Sequence, residues 1–299
     1  MRSNPALKKL GFSDKDRALV IHTDDIGMCQ ATVTAFKALW QAKAISSGAA
    51  MVPCSWFNTA ASLCREDATI DMGVHATLTS EWSAYRWGPL TGEAFQSGLV
   101  DEERRFHKTS GAVAREAQPA AVKAELSAQI SLARASGIAP THIDTHMGSV
   151  MHGPLYDVFV DLALETGIPP FALRLSAADW EAFGLDTESA DVLGRRAAEL
   201  EQTGFPVYDS LLNVRLSDEQ DRVAKSQAVI AGLRPGQLGY FILHPAHDTP
   251  ELRDLCPDWR SRVGDFEMFI SGEMAEFLQK ENITIVGTRE LNPLISGVF

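Results

Sequence analysis

The sequence predicts an α/β protein of a single domain, a distorted (β/α) TIM-like barrel over residues 1–299, and three observations predict it. Eight short β-rich apolar stretches recur, helix-compatible segments separate them, and no Pro/Gly/Ser-rich linker, internal repeat or low-complexity tract divides the chain. Strands alternating with helices imply parallel β joined by right-handed crossovers. Eight such units, in a chain somewhat longer than the ~250 residues of an ordinary barrel, favour closure over an open doubly wound sheet. Apolar residues make up 45% and charged ones 22%, enough to fill a sizeable core.

The eight stretches are, in order, "ALVIH" from Ala18, "ISSGAAMV" from Ile45, "DMGVHATL" from Asp71, "THIDTH" from Thr141, "FALRLS" from Phe171, "PVYDSLL" from Pro206, "GYFILH" from Gly239 and "ITIVG" from Ile283. Each is a short apolar run of strand length. Between them lie helical patterns such as "PAAVKAELSAQISLARASG". There Val122, Leu126, Ile130 and Ala133 recur at helical spacing, Pro119 stands at the start and Gly137 at the end. One inserted loop region, from about 79 to 118 and centred on Thr79 to Lys108, has no clear period and carries Trp82, Tyr85 and Trp87 close together. An insertion after a barrel strand is a candidate lid or substrate wall.

A net charge of -12 opposes long-range attraction to nucleic acid or an anionic membrane, and no basic cluster offsets it. The four cysteines, Cys29, Cys54, Cys64 and Cys256, lack CxxC spacing and read as reduced thiols. The first twenty residues carry charges throughout instead of a signal peptide's apolar segment, and no run is long enough to span a bilayer. A cytoplasmic location is the expectation. Parallel barrels often form homodimers, although no stretch here marks an interface. Neither a G-x-S-x-G elbow nor a G-x-G-x-x-G or Walker-type loop is present.

A parallel barrel builds its active site at the C-terminal ends of its strands. That filter selects Asp24 and Asp25 after the first stretch, His75 in the third, Asp144 and His146 in the fourth, Arg174 in the fifth, and His244 with His247 after the seventh. Imidazole and carboxylate ligands at several strand ends, with one further carboxylate left to take a proton from water, suit one divalent metal ion. An isolated Asp-Asp reads first as a helix N-cap, because Asp is favoured there. Adjacent strand residues face opposite ways, so Asp24 and Asp25 can serve one site only from beyond the strand end, one on the metal and the other as base.

In "HIDTH", His142, Asp144 and His146 share a face but spread over roughly 13 Å at about 3.3 Å per residue, too far for one ion. His146 is then the candidate ligand, Asp144 a hydrogen-bonding support, and His142 a satisfied interior histidine. His244 precedes Pro245 and suits a general acid, because imidazole titrates near neutrality. Arg174, charged within an apolar strand, needs a carboxylate or anionic partner, and so either orients an active-site Asp or holds substrate.

The ordered set "TDDIG", "GVH", "PTHIDTH", "LR" and "HPA" resembles the YdjC-like, ChbG-type carbohydrate deacetylases from about Leu19 to Glu290. The resemblance implies a distorted barrel and one divalent metal ion, Mg2+ or Zn2+, held by Asp25, His75 and His146, with Asp24 as catalytic base and His244 as general acid. It also implies hydrolysis of an N-acetyl group on an amino sugar or short oligosaccharide. Trp82, Tyr85 and Trp87 would stack on sugar or pin the loop. This chain departs from the family's usual Asn-Ala before the Asp pair (His22-Thr23 here), from Phe after it (Ile26), and from a His-rich continuation after "HIDTH" (Met147-Gly148-Ser149). Two other readings remain open: a different metal-dependent barrel enzyme, sugar isomerase or phosphoesterase, and a non-catalytic carbohydrate-binding relative.

Overall fold

The longest strand, β1 (Arg17–Ile26), organises the molecule. All of it but Arg17 is buried, as expected of a parallel strand covered on both faces. In the computed structural model of the chain, which describes residues 3–92 and 97–292, six more strands follow. They are β2 (Ser47–Ala50), β3 (Met72–Ala76), β4 (Ile143–Thr145), β5 (Ser210–Leu212), β6 (Leu238–Leu243) and β7 (Ile283–Ile285). All pairings are parallel, in the order β4-β3-β2-β1-β6-β5, with β7 joining only the first three residues of β1.

The fifth stretch, "FALRLS", is not a regular strand, yet it closes the ring. Isolated parallel bridges join Ile143 to Pro170 and Leu173 to Tyr208. Backbone hydrogen bonds Phe171 N to Ile143 O at 2.8 Å and Arg174 N to Tyr208 O at 2.7 Å carry the sheet from β4 across to the residues before β5. Pro169 and Pro170 explain the irregularity, since neither can donate to a ladder. The result is a distorted α/β barrel, as expected, with all eight apolar stretches in its wall.

Helices cover the outside. The helix Pro119–Ala135 begins on its proline, buries Val122, Leu126, Ile130 and Ala133, and ends before Gly137, which takes φ +93°. The inserted region, of which residues 93–96 lie outside the described residues, folds back on the rim: Thr79 bridges His107, and Ser80 N donates to His107 O at 2.8 Å. No helix among the described residues is long and apolar enough to cross a membrane.

Candidate metal centre and active site

The two aspartates both lie inside β1, not beyond its end, which corrects the sequence-based placement. Their shared orientation comes from a β-bulge. Thr23 pairs with Gly48 and Ile26 with Ala50, so three steps along β1 match two along β2. Asp25 absorbs the extra residue at φ +59°, a left-handed conformation that Asp tolerates better than most side chains. The bulge cancels the strand alternation, and both carboxylates turn to the barrel axis. Gly27 completes the turn at φ +93°, where a Cβ would stand 3.1 Å from the Phe57 Cα.

Three strands bring the proposed ligands together. Asp25 Oδ1 lies 3.1 Å from His146 Nδ1 and 3.4 Å from His75 Nε2. Two ligands about 2.1 Å from a common ion stand about 3.0–3.4 Å apart in octahedral or tetrahedral geometry, so these spacings are edges of a coordination shell. Asp25 Oδ1 is buried and accepts no hydrogen bond despite both neighbouring nitrogens, as a metal-directed oxygen would be. A divalent ion therefore fits this donor set.

The far side of each imidazole faces a carboxylate. His75 Nδ1 lies 2.7 Å from Asp144 Oδ1, and His146 Nε2 lies 3.1 Å from Glu81 Oε2. Such contacts fix the tautomer and leave the opposite nitrogen's lone pair for a metal. Asp25 Oδ2 accepts from Arg262 Nη1 at 2.7 Å, with both side chains buried.

These contacts govern protonation. Burial opposes charge on His146, but Glu81 and Asp25 outweigh it and raise its pKa to about 9. Burial likewise opposes charge on His75, and Asp144 and Asp24 overcome it, holding that imidazole well above its ordinary range. Burial would raise Asp25, yet Arg262 and His146 keep its carboxyl well below the usual range. Without an ion the cluster is a set of imidazolium–carboxylate pairs, and an ion entering this donor set would have to replace protons.

Asp24 stands beside this donor set. Its Oδ2 lies 3.7 Å from His75 Nε2 and 3.7 Å from His244 Nε2. Asp24, Asp144 and His244 share a cavity of about 230 Å³ with Thr145, Asn213 and an apolar wall of Met147, Met151, Phe171, Leu211, Tyr240 and Ile242. His244 is anchored from behind, because its backbone N–H donates to Asp265 Oδ2 at 2.9 Å and Asp265 Oδ1 is held by Arg222.

Other expected residues lie apart from this cluster. Arg174 does have carboxylate partners, but they are Glu201 at 2.7 Å and Asp209 at 3.4 Å, in a separate depression, so it orients neither aspartate of the site. His247 meets Thr34 Oγ1 at 2.9 Å, packs edge-on against Phe266 and does not line the cavity. Trp87 is buried, donates to Thr79 O at 2.8 Å and rests 6.1 Å from the His146 ring; it pins the insertion to the donor set. Tyr85 is tied to Met28 O, and Trp82 lies under the Arg262 guanidinium at 5.6 Å. His142 contacts Thr141 and Thr288 through Nδ1, but its buried Nε2 has no hydrogen-bond partner, so it is only half satisfied.

Sequence reasoning missed Glu81 and Arg262. Glu81 sits in the aperiodic insertion. Arg262 sits on the helix Trp259–Ile270, 237 residues from the aspartate it binds. One signal existed: Arg262 falls at a core-facing position of an otherwise amphipathic helix, where a buried arginine requires a partner.

Known proteins resemble this chain in sequence and in fold. A carbohydrate deacetylase of Thermus thermophilus is 36% identical over 261 residues, covering 87% of this chain and 88% of the relative. A chitooligosaccharide deacetylase of Yersinia enterocolitica is 29% identical over 194 residues, covering 64% of this chain and 70% of the relative. The solved structure of a putative cellobiose-phosphate cleavage protein from Enterococcus faecalis shares the fold. Its TM-score is 0.75 at 22% identity, over 92% of this chain and 99% of that one. The model of the YdjC-like proteins matches residues 18–280, the barrel from β1 through the helix Glu273–Lys280 that precedes β7, and the chain belongs to that family.

Proposed function

We propose that the protein is a metal-dependent carbohydrate deacetylase that hydrolyses the N-acetyl group of an amino sugar or short oligosaccharide, releasing acetate and a free amine. The observation that carries the reading is the donor set itself: Asp25, His75 and His146 converge while each imidazole's other nitrogen is held by a carboxylate. The relatives named as carbohydrate deacetylases supply the substrate class.

Asp25, His75 and His146 would hold the ion, and two imidazoles with one carboxylate suit zinc better than magnesium, which prefers oxygen ligands. When bound, a divalent ion polarises the acetyl carbonyl and lowers the pKa of water. Arg262 keeps Asp25 ionised and fixed from its far oxygen. Asp24, adjacent to the donors, accepts the proton of the attacking water. His244, on the cavity side of Asp24, donates a proton to the departing nitrogen, and its anchored backbone fixes where that proton is delivered. The apolar wall presented by Met147, Met151, Phe171 and Leu211 receives the less polar face of the substrate.

The test is metal analysis of the purified protein followed by an acetate-release screen over N-acetylated amino sugars and oligosaccharides. His146→Ala should lose both metal and turnover, whereas Asp24→Asn should keep the metal and lose turnover. A fully active, metal-free protein would remove the basis of the proposal. Release of phosphate, or isomerisation of an unacetylated sugar, would replace deacetylation with another barrel chemistry.

A further inference from the structure

Below the donor set, His22 occupies the barrel interior on β1 and is wholly buried. Its Nε2 lies between two carboxylates, 2.9 Å from Asp144 Oδ2 and 3.2 Å from Asp24 Oδ1, electrostatic contacts whose angles fall short of hydrogen bonds. The ring is clamped on its other sides. Tyr240 stacks on it at 4.8 Å and 28°, and His142 meets it edge-on at 4.9 Å. Its Nδ1 lies 3.2 Å from Ser47 Oγ, which is 3.0 Å from Thr288 Oγ1, and that hydroxyl in turn bonds to Asp71. A histidine held on four sides has no rotameric freedom, so the position of Nε2 is fixed by the barrel and not by the carboxylates it touches.

Asp144 and Asp24 have different duties. Asp144 orients His75 through Oδ1, and Asp24 stands free of the proposed metal donors beside the cavity. We propose that His22 is a positioning residue that locks the carboxylate of Asp24 to that of Asp144, so that the proton acceptor and the metal-ligating imidazole keep one fixed relative geometry. The proposal rests on the deacetylase reading for its kinetic consequence, while the link itself is a property of the folded protein. Asp24 makes few other contacts: the His75 and His244 nitrogens are 3.7 Å from its other oxygen, beyond hydrogen-bond reach. Without His22 its side chain is free to rotate, and a base that wanders by about 1 Å costs rate far more than binding.

Two measurements test this. In the metal-free protein, nitrogen NMR of the His22 imidazole should respond to Asp24→Asn and to Asp144→Asn separately, since each removes the charge of one of the two carboxylates at Nε2. A His22 resonance indifferent to Asp24→Asn overturns the link whatever the protein's substrate is. In the metal-loaded enzyme, His22→Leu should lower kcat about tenfold or more with KM and metal content little changed, the signature of an interaction that matters in the transition state. His22→Gln, whose amide nitrogen reaches near the place of Nε2, should recover much of that loss, whereas His22→Asn, which stops short, should not. Equal kcat in His22→Leu and the parent, or a loss explained wholly by lower melting temperature and metal content in both His22→Leu and His22→Gln, overturns the positioning role. If the parent releases no acetate from any substrate, the functional reading fails, and the NMR result decides the positioning link on its own.

Discussion

Replacing Glu81 tests the metal centre through a residue that no ligand motif contains. Glu81→Gln keeps a side-chain oxygen able to accept from His146 Nε2, now 3.1 Å from the carboxylate, but removes the charge. Loss of such a supporting contact weakens metal binding by about 10–100-fold, roughly 1.4–2.7 kcal/mol. The amide should fall near the lower figure and Glu81→Ala near the upper.

The pH of the assay decides how much of this is visible. Burial disfavours charge on His146, but Glu81 and Asp25 raise its pKa to about 9, so at pH ~7 an incoming ion must displace a proton at a cost of about 100-fold in apparent affinity. Removing the Glu81 charge also relieves that competition, so the two effects offset near neutrality and separate above about pH 9. Competition titration with a chromophoric chelator at both pH values measures the difference. The affinity of Glu81→Gln should match the parent more closely at neutral pH than at alkaline pH. A variant that binds metal as tightly as the parent at the higher pH would refute the supporting role of Glu81 and, with it, the assignment of His146 Nδ1 as ligand.

Four further outcomes are expected. Asp25→Asn should lose metal and melt lower, because Arg262 loses one of its two carboxylate partners and keeps only Asp258 at 3.0 Å, a defect worth about 1–3 kcal/mol by denaturant unfolding of the metal-free protein. His22 and His146 are both raised to about 9, so the stability they give the metal-free protein is full below about pH 6.5 and lost as pH climbs through about 9. Melting curves should fall over that window without metal and stay flatter with it, and a metal-free curve flat across the window would contradict these charge assignments. Gly27→Ala forces a Cβ against the Phe57 backbone at positive φ and should cost about 1–2 kcal/mol, read from the urea midpoint. Trp87→Ala should cost about 3–5 kcal/mol and loosen metal binding together, since the ring packs the insertion onto His146; loss of stability with unchanged metal affinity would limit Trp87 to the core.

The alternating apolar runs and helical periods are local properties of the chain, and they suffice to specify a parallel barrel because its central strands, β1 to β3 and β6, are buried on both faces. For the same reason His75, His146 and His244 were legible: a polar residue at the end of an apolar strand stands out. What local pattern could not contain is anything set by the closed ring. "FALRLS" reads as a strand, but Pro169 and Pro170 just before it limit the segment to two bridges, and only the ring shows that these suffice to close the barrel. Arg174 reads as an active-site residue by position, but its neighbours Glu201 and Asp209 capture it first.

The aspartate pair marks the boundary most clearly. Local pattern alone puts two carboxylates at the end of the first apolar run, near enough to two histidine-bearing strands to make a site. Strand alternation then forbids both from facing it, and the tertiary structure resolved that conflict with one extra residue against β2 and a left-handed Asp25. That choice depends on the register between two strands, and the partners that finish the site, Glu81 and Arg262, come from an irregular loop and a helix 237 residues from Asp25. Pairings over such separations are fixed by packing, which no window of sequence contains.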